Sequence, residues 1–215
     1  MKHSVRKGLV GAIAASSVLA LSTAPANATG QSPATTQAIT LTNSGSISVK
    51  DGSTGWAIVC TASTGTGTAQ VGTPQPNPVF QINTLQFNQG TAGSKCSTPF
   101  TPMQVTAAGL PWSFSATSPT VSGVTPGTLT GVKLTIVGDD NCHTTITGPG
   151  GAGGTISGKY TNGAGTLSFG GTGSTSNLTV ATADINCDPT SISVGDPISL
   201  NGTYKINPSV VITYP

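Results

Sequence analysis

The sequence of 215 residues is poor in charge: it holds eight lysines and arginines, six aspartates and no glutamate, and only 7% of its residues are charged. Soluble globular proteins normally carry about a quarter. No basic surface is available to neutralise phosphates, so nucleic acid is excluded as an expected partner. Threonine, serine, glycine and asparagine must supply the polar surface. Such a neutral surface repels other copies weakly, which favours self-association or contact with an apolar phase.

Residues 1–28 are predicted to be a signal peptide. A basic start ending at Lys7 precedes an apolar stretch over residues 9–21, and Ala26-Asn27-Ala28 matches the A-x-A cleavage pattern. The alternative is an uncleaved anchor, but a membrane span needs about 20 apolar residues. We therefore expect export and a mature chain that starts at Thr29.

The predicted mature chain has five lysines and six aspartates, which gives a net charge of −1. No later segment is apolar and long enough to span a membrane. We expect a secreted protein, extracellular or loosely associated with the cell surface, with a flexible leader over residues 29–37. The rest of the chain, residues 38–215, has the length of one domain.

Short runs rich in Ile, Val, Thr, Phe and Tyr, separated by Gly, Pro, Asn and Asp, predict β-strands. In the first half the candidates are residues 38–42, 46–50, 56–60, 79–87, 112–116 and 132–137. In the second half they are residues 143–147, 154–160, 166–169, 177–180, 198–206 and 210–213.

Most of these runs alternate apolar and polar residues, which is typical of strands with one buried face. No segment shows apolar residues at helical spacing, and Pro and Gly are too frequent for long helices. The pattern predicts an all-β fold, an antiparallel β-sandwich of the Ig-like or jelly-roll-like kind. A β-barrel is the alternative.

All four cysteines, Cys60, Cys96, Cys142 and Cys187, lie in the predicted mature chain. An even number in an exported chain indicates disulfides. Three pairings are possible, and order along the chain favours Cys60–Cys96 and Cys142–Cys187. No metal site is expected, because the chain lacks a C-x-x-C motif and the mature part has a single histidine. No cofactor is predicted.

Candidate catalytic residues are few. The chain has no G-x-S-x-G elbow, so any Ser-His-Asp triad would have to use His143, the histidine of the predicted mature chain. A structural or surface role is favoured for it. Asp184, Asn186 and Asp188 have the spacing with which a calcium loop begins, but a closing glutamate is absent. We interpret them as a polar turn around a disulfide.

Two tryptophans are candidates for ligand binding. Trp56 and Trp112 are expected to anchor the core, as buried indoles usually do. The alternative is that one of them lines a ligand groove. Trp112 follows Gly109-Leu110-Pro111, so a proline sets the entry of the chain into its strand.

Residues 108–118, Ala-Gly-Leu-Pro-Trp-Ser-Phe-Ser-Ala-Thr-Ser, carry a family resemblance. This segment resembles the GLPW…ATS stretch of the small secreted bacterial proteins PraA and PraB, described as activators of alkane oxidation. The positions of Cys96, Cys142 and Cys187, and the run from Gly202 to Pro208, match as well. The resemblance implies a non-enzymatic extracellular protein that helps cells handle apolar carbon sources, and it supplies no catalytic residues.

The first functional hypothesis is therefore a secreted, non-enzymatic protein that binds or disperses hydrophobic substrates such as alkanes. Its partners would be hydrophobic small molecules or components of the cell envelope. The alternative is a structural or adhesive protein of the cell surface or extracellular matrix. A second alternative is a small secreted esterase or lipid hydrolase.

Overall fold

The computed structural model describes residues 33–88 and 94–215, and the predicted signal peptide lies outside them. Within these residues the chain forms thirteen strands and one 3-10 turn, Pro149–Gly151. The strands are β1 Thr35–Asn43, β2 Ile47–Asp51, β3 Ala57–Cys60, β4 Ser63–Val71, β5 Phe80–Phe87, β6 Met103–Ala108, β7 Trp112–Ala116, β8 Val124–Gly138, β9 His143–Thr147, β10 Gly154–Thr161, β11 Thr166–Phe169, β12 Leu178–Ala183 and β13 Pro197–Asn207.

All the strand pairings are antiparallel, and they join the strands into one large sheet that folds over its own core. The sheet follows the order β1-β4-β5-β6-β8-β10-β11-β13-β12-β9, with further pairings of β1 with β13 and of β8 with β9. The long strands β8 and β13 change partners along their length, so the sheet is not a clean barrel. The predicted all-β antiparallel class is confirmed.

Both disulfides are as predicted: Cys60 is bonded to Cys96, and Cys142 to Cys187. The buried hydrophobic side chains form one cluster. Its largest fully buried members are Trp112, Tyr160, Tyr204, Phe80 and Phe114. The inward positions alternate with outward ones along most strands, which is the pattern that the sequence predicted.

Strand β4 was not among the predicted strands, because its sequence, Ser-Thr-Gly-Thr-Gly-Thr-Ala-Gln-Val, is poor in strand-forming apolar residues. Packing against β5 explains why glycine occurs at two positions of this strand. A Cβ at Gly65 would collide with the carbonyl oxygen of Thr84, and one at Gly67 with that of Gln81. Glycine therefore lets β4 and β5 approach closely. Strand β6 and the first half of β8 were missed as well.

Two boundaries need correction. The predicted leader, residues 29–37, overlaps β1, which begins at Thr35 and pairs with β4 as far as Val71. Residues 210–213 were predicted as a strand, yet they belong to no strand. They alternate as a strand does, with Val210 and Ile212 buried, but side chains rather than a neighbouring strand supply their hydrogen bonds.

Candidate functional site

Four connections meet at one end of the sheet. They are the β2–β3 turn, the loop of residues 96–103, the β8–β9 turn and the long β12–β13 loop. The strand register brings them together, because the end of β2 at Asp51 pairs with Ile198 near the start of β13. The end of β12 pairs with the start of β9, Ala183 with Thr144. We call this the loop end of the molecule.

Asp51 builds the turn that positions Trp56. Its buried carboxylate accepts hydrogen bonds from the backbone N–H groups of Ser53 (2.7 Å) and Thr54 (2.9 Å). The Thr54 hydroxyl donates to the carbonyl of Ser191 at 2.9 Å and accepts from the N–H of Trp56 at 3.1 Å. The turn is thus tied to the β12–β13 loop and fixes the backbone from which the indole projects.

The loop of residues 96–103 carries Phe100 at its tip. Cys96 and Met103 pair through two backbone hydrogen bonds at its base, and the disulfide to Cys60 attaches the base to β3. The Thr98 hydroxyl accepts from the N–H of Phe100 at 3.1 Å. The Phe100 side chain is 75% exposed although its loop is held closely.

The β12–β13 loop is fixed to the β8–β9 turn by the second disulfide. Asp184 accepts from the backbone N–H groups of His143 (3.1 Å) and Asn186 (3.0 Å). The Asn186 side chain in turn donates to the carbonyl of Asn141 at 3.2 Å. Asp188 accepts from the N–H and the hydroxyl of Thr190, at 2.9 and 2.7 Å. These bonds hold an irregular backbone that forms no sheet ladder.

The four connections enclose a cavity of about 290 Å³, which we call the loop cleft. Its lining is Trp56, Phe100, Thr101, Met103, Asp140, Cys142, Asp188, Ser191 and Ile192. The walls are mostly apolar and aromatic, and two carboxylates stand among them. Small-molecule sites have this composition, with an apolar surface and a few polar groups that orient the ligand.

The loop end carries every aspartate of the sequence. Asp51 is at the end of β2, two aspartates lie in the β8–β9 turn and three in the β12–β13 loop. Asp139 forms an ion pair with Lys95. The hydrogen bonds from the Thr190 hydroxyl and N–H lower the pKa of Asp188 below the ordinary aspartate value. Asp188 is therefore ionised at neutral pH.

Further apolar side chains are exposed at the same end. Ile185 is almost fully exposed, and Val194 is also largely exposed, both on the β12–β13 loop. Phe100, on the loop of residues 96–103, is exposed as well and is the one of the three that lines the cleft.

The structure separates the two candidate tryptophans. Trp56 lines the loop cleft and is 8% exposed. Trp112 is fully buried in the core, and its indole N–H donates to the carbonyl of Ala108 at 2.9 Å. Because a ligand at the surface cannot contact Trp112, the ligand-binding hypothesis rests on Trp56 alone.

His143 is exposed at the start of β9. Its backbone N–H donates to the Asp184 carboxylate, and its backbone carbonyl accepts from the Asp184 N–H. The hydrolase hypothesis depends on this imidazole and stays a prediction. The substitution His143→Ala tests it, because hydrolysis of a short-chain ester must disappear if the residue is a catalytic base.

One cluster of metal-ligand residue types is present in the described chain. The donor atoms of Cys142, Asp184 and Cys187 lie within 4.8 Å of one another. Both sulfurs belong to the disulfide, and a metal binds the thiolate form of cysteine. The Asp184 carboxylate already accepts two backbone N–H bonds. The cluster is therefore a braced turn.

The loop cleft was not predicted from sequence, because its walls come from four separate connections. The sequence indicates Trp56, Cys142 and Asp188 among its lining residues as candidates for other roles.

The family model described as alkane oxidation protein activator PraA/PraB-like matches residues 3–214. No curated protein and no solved structure matches the chain. In the described residues, no helix has the length and apolarity that a membrane crossing requires.

Proposed function

Because the chain belongs to the PraA/PraB-like family of alkane oxidation protein activators, we propose that it is a secreted, non-enzymatic protein that binds hydrophobic molecules at the loop cleft. The family description, activators of alkane oxidation, supports a role for the chain in the use of alkanes. Its own contribution would then be to capture or disperse the apolar substrate before oxidation.

One observation carries this proposal: Trp56, Phe100, Met103 and Ile192 line a single open cleft at a braced end of the fold. Transfer of apolar surface from water into such a cleft is favourable by roughly 25 cal/mol per Å². The bracing matters as well, because a wall that is already ordered loses little conformational freedom when the ligand binds.

The disulfides support the exported location that this proposal requires. Two disulfides form and persist in oxidising environments outside the cytoplasm. We expect the protein in the culture medium or loosely on the cell surface, with Thr29 as its first residue. N-terminal sequencing of the exported protein checks this. A protein retained in the cytoplasm with free thiols would contradict it.

Binding is tested by tryptophan fluorescence during titration with dodecanol, a soluble model for a medium-chain alkane. We expect the emission maximum of Trp56 to shift, because the ligand enters the cleft that this indole lines and changes its surroundings. Trp112 is buried and serves as an internal reference. In the variant Trp56→Phe the shift should disappear while Trp112 still emits. A shift that survives this substitution would place binding elsewhere.

A second function, adhesion to a surface or matrix, is favoured by an outward-facing row of polar residues that crosses six strand pairings. Its members are Thr42, Thr64, Gln86, Thr106, Thr135, Thr145 and Thr182, each directly opposite the next. At about 4.8 Å per pairing the row is about 29 Å long. It carries hydroxyl and methyl groups and the amide of Gln86, and no charge.

Charge placed in this row tests the adhesive function separately from the cleft. Thr64 and Thr106 are exposed, so the double variant Thr64→Lys/Thr106→Lys should fold. If the row mediates adhesion or self-association, the variant adsorbs less to a neutral polysaccharide surface and self-associates less. Its binding of dodecanol should stay at the wild-type level. Unchanged adsorption would exclude the row as the adhesive face.

A further inference from the structure

We infer that the loop cleft recognises the quaternary ammonium head of an amphiphile, with the alkyl chain of the same molecule on its apolar wall. This rests on the proposed function, because it assigns a substrate class to the same cleft. The juxtaposition that points to it is two aromatic residues, Trp56 and Phe100, that line one cavity together with Asp140 and Asp188.

The two aromatic rings suit such a head. A cation is attracted to the negative face of an aromatic ring, best to tryptophan, and aromatic clefts are used to recognise quaternary ammonium groups. Trp56 is the inner ring, with most of its surface buried, and Phe100 is the exposed one at the rim. A trimethylammonium group is bulky and weakly hydrated, so it can leave water for such a site at low cost.

The two carboxylates favour a ligand whose head group carries a positive charge. Asp188 is held ionised by Thr190, and Asp140 accepts the backbone N–H of Cys142 at 3.1 Å. Neither carboxylate has a lysine among the residues that line the cleft with it. Of the nearby lysines, Lys95 is paired with Asp139, and Lys50, next to Asp51 in β2, does not line the cleft. A cationic head placed in the cleft therefore meets two aspartates and no lysine among the lining residues.

The cleft volume of about 290 Å³ is at the small end of the range for ligand sites. It holds a head group and the first part of a chain, not a whole long-chain lipid. Met103 and Ile192 provide the apolar wall for that first part. The remaining chain would lie against the exposed Phe100.

The test compares three ligands with the same twelve-carbon chain below their micelle concentrations: dodecyltrimethylammonium, dodecanol and dodecyl sulfate. Affinity is measured by calorimetry and by Trp56 emission. We expect dodecyltrimethylammonium to bind roughly tenfold more tightly than dodecanol, and dodecyl sulfate most weakly. Choline, which has the head without the chain, should bind more weakly than dodecyltrimethylammonium. Choline binding as tight as that of the amphiphile would assign the site to a free small cation.

Isosteric variants separate the cleft from general charge attraction. In Asp140→Asn/Asp188→Asn each amide oxygen still accepts the backbone bonds of its loop, so the fold is retained while two charges are lost. The preference for the ammonium head should then fall to about twofold. The control Asp196→Asn removes a charge of the β12–β13 loop from a residue that does not line the cleft, and it leaves the Lys95–Asp139 ion pair intact. It should keep the preference.

Failures of the two proposals are distinguishable. If all three heads bind equally through Trp56, or if the ammonium preference survives loss of both cleft carboxylates, the head-group inference is overturned and hydrophobe binding stands. If none of the three ligands changes Trp56 emission or releases heat, both are overturned.

Discussion

Both ends of the molecule contain irregular backbone that forms no sheet ladder, and different interactions hold it in place at each end. At the loop end, a disulfide and aspartate side chains fix the long β12–β13 loop. At the opposite end, where β8 begins, the last residues of the chain are held by side-chain hydrogen bonds from Tyr160 and Asn162. A disulfide thus cross-links the loops that form the cleft, whereas side-chain hydrogen bonds hold the last residues of the chain against the core.

The opposite end explains why residues 210–213 look like a strand without being one. The Tyr160 hydroxyl donates to the carbonyl of Val210 at 2.8 Å and accepts from its N–H at 3.3 Å. The Asn162 amide donates to the carbonyl of Ile212 and accepts from its N–H, at 2.8 and 2.9 Å. The two side chains replace a neighbouring strand, so the chain keeps strand-like alternation.

The largest expected effect comes from removing the Cys142–Cys187 disulfide. The double variant Cys142→Ala/Cys187→Ala removes a link across a separation of 45 residues. On the chain-entropy model the loss is about 4 kcal/mol of unfolding free energy, measured by urea denaturation. Because Cys142 forms part of the cleft wall, the Trp56 response to dodecanol should disappear as well.

The Cys60–Cys96 disulfide is the matched comparison. Cys60→Ala/Cys96→Ala opens a link across 36 residues, for which the same model gives about 4 kcal/mol. Neither of these cysteines lines the cleft, and the backbone pairing of Cys96 with Met103 still closes the base of the loop that carries Phe100. Ligand binding by the remaining folded protein should therefore be weakened less. A loss of less than about 1 kcal/mol in the first variant would show that hydrogen bonds alone hold the loop end.

The next effect is at the opposite end. Tyr160→Phe removes a buried hydroxyl and leaves the N–H and carbonyl of Val210 without their partner. Such a loss costs about 1–3 kcal/mol, measured by urea denaturation, and carboxypeptidase should shorten the chain faster. The ring itself stays packed against Phe80, with centroids 4.9 Å apart in the wild type.

Tyr214→Phe is the control for this variant, because the described hydrogen bonds of Tyr214 run through its backbone. It should unfold like the wild type. The affinity for dodecanol should be unchanged in both variants, since the loop cleft lies at the other end. Weakened binding in Tyr160→Phe would show that the two ends are coupled.

The sequence predicts the regular part of the fold well, for a physical reason. Alternation of apolar and polar residues is a local property, and strands such as β2, β7 and β11 show it clearly. The disulfide pairing followed from chain order. Strand β4 could not be predicted, because it is stabilised by close packing of β5 against Gly65 and Gly67, which is not a local property of the sequence.

The candidate site was less predictable than the fold. Nothing local in the sequence indicates that Phe100 and Ile192, from separate loops, line one cleft with Trp56. One signal was present, however. All six acidic residues fall close to turn residues and cysteines, and never in the middle of a strand. Grouping acids by predicted turn would have indicated an acidic loop end.

The smallest expected effect concerns pH, and it should be confined to the loop end. The Thr190 hydroxyl, followed by the Thr190 N–H, lowers the pKa of Asp188. A lowered pKa in the folded state means that these bonds stabilise the loop above the ordinary value of about 3.9. That contribution is lost as the pH falls through the lowered pKa. In contrast, burial raises the pKa of Tyr160, so its bonds to Val210 stay intact in acid.

An NMR titration of the Asp188 carboxyl carbon between pH 2 and 6 (roughly the acid range) measures this difference. In Thr190→Val the hydroxyl is lost and the N–H remains, so the pKa of Asp188 should rise part of the way to its ordinary value. Affinity for dodecyltrimethylammonium should fall over the same pH range in the wild type, and at a higher pH in the variant. Because the last residues are held by groups that do not titrate there, the amide signals of Val210 and Ile212 should not move. Movement of those signals together with Asp188 would mean that acid loosens the whole sheet, and that the loop end has no separate stability.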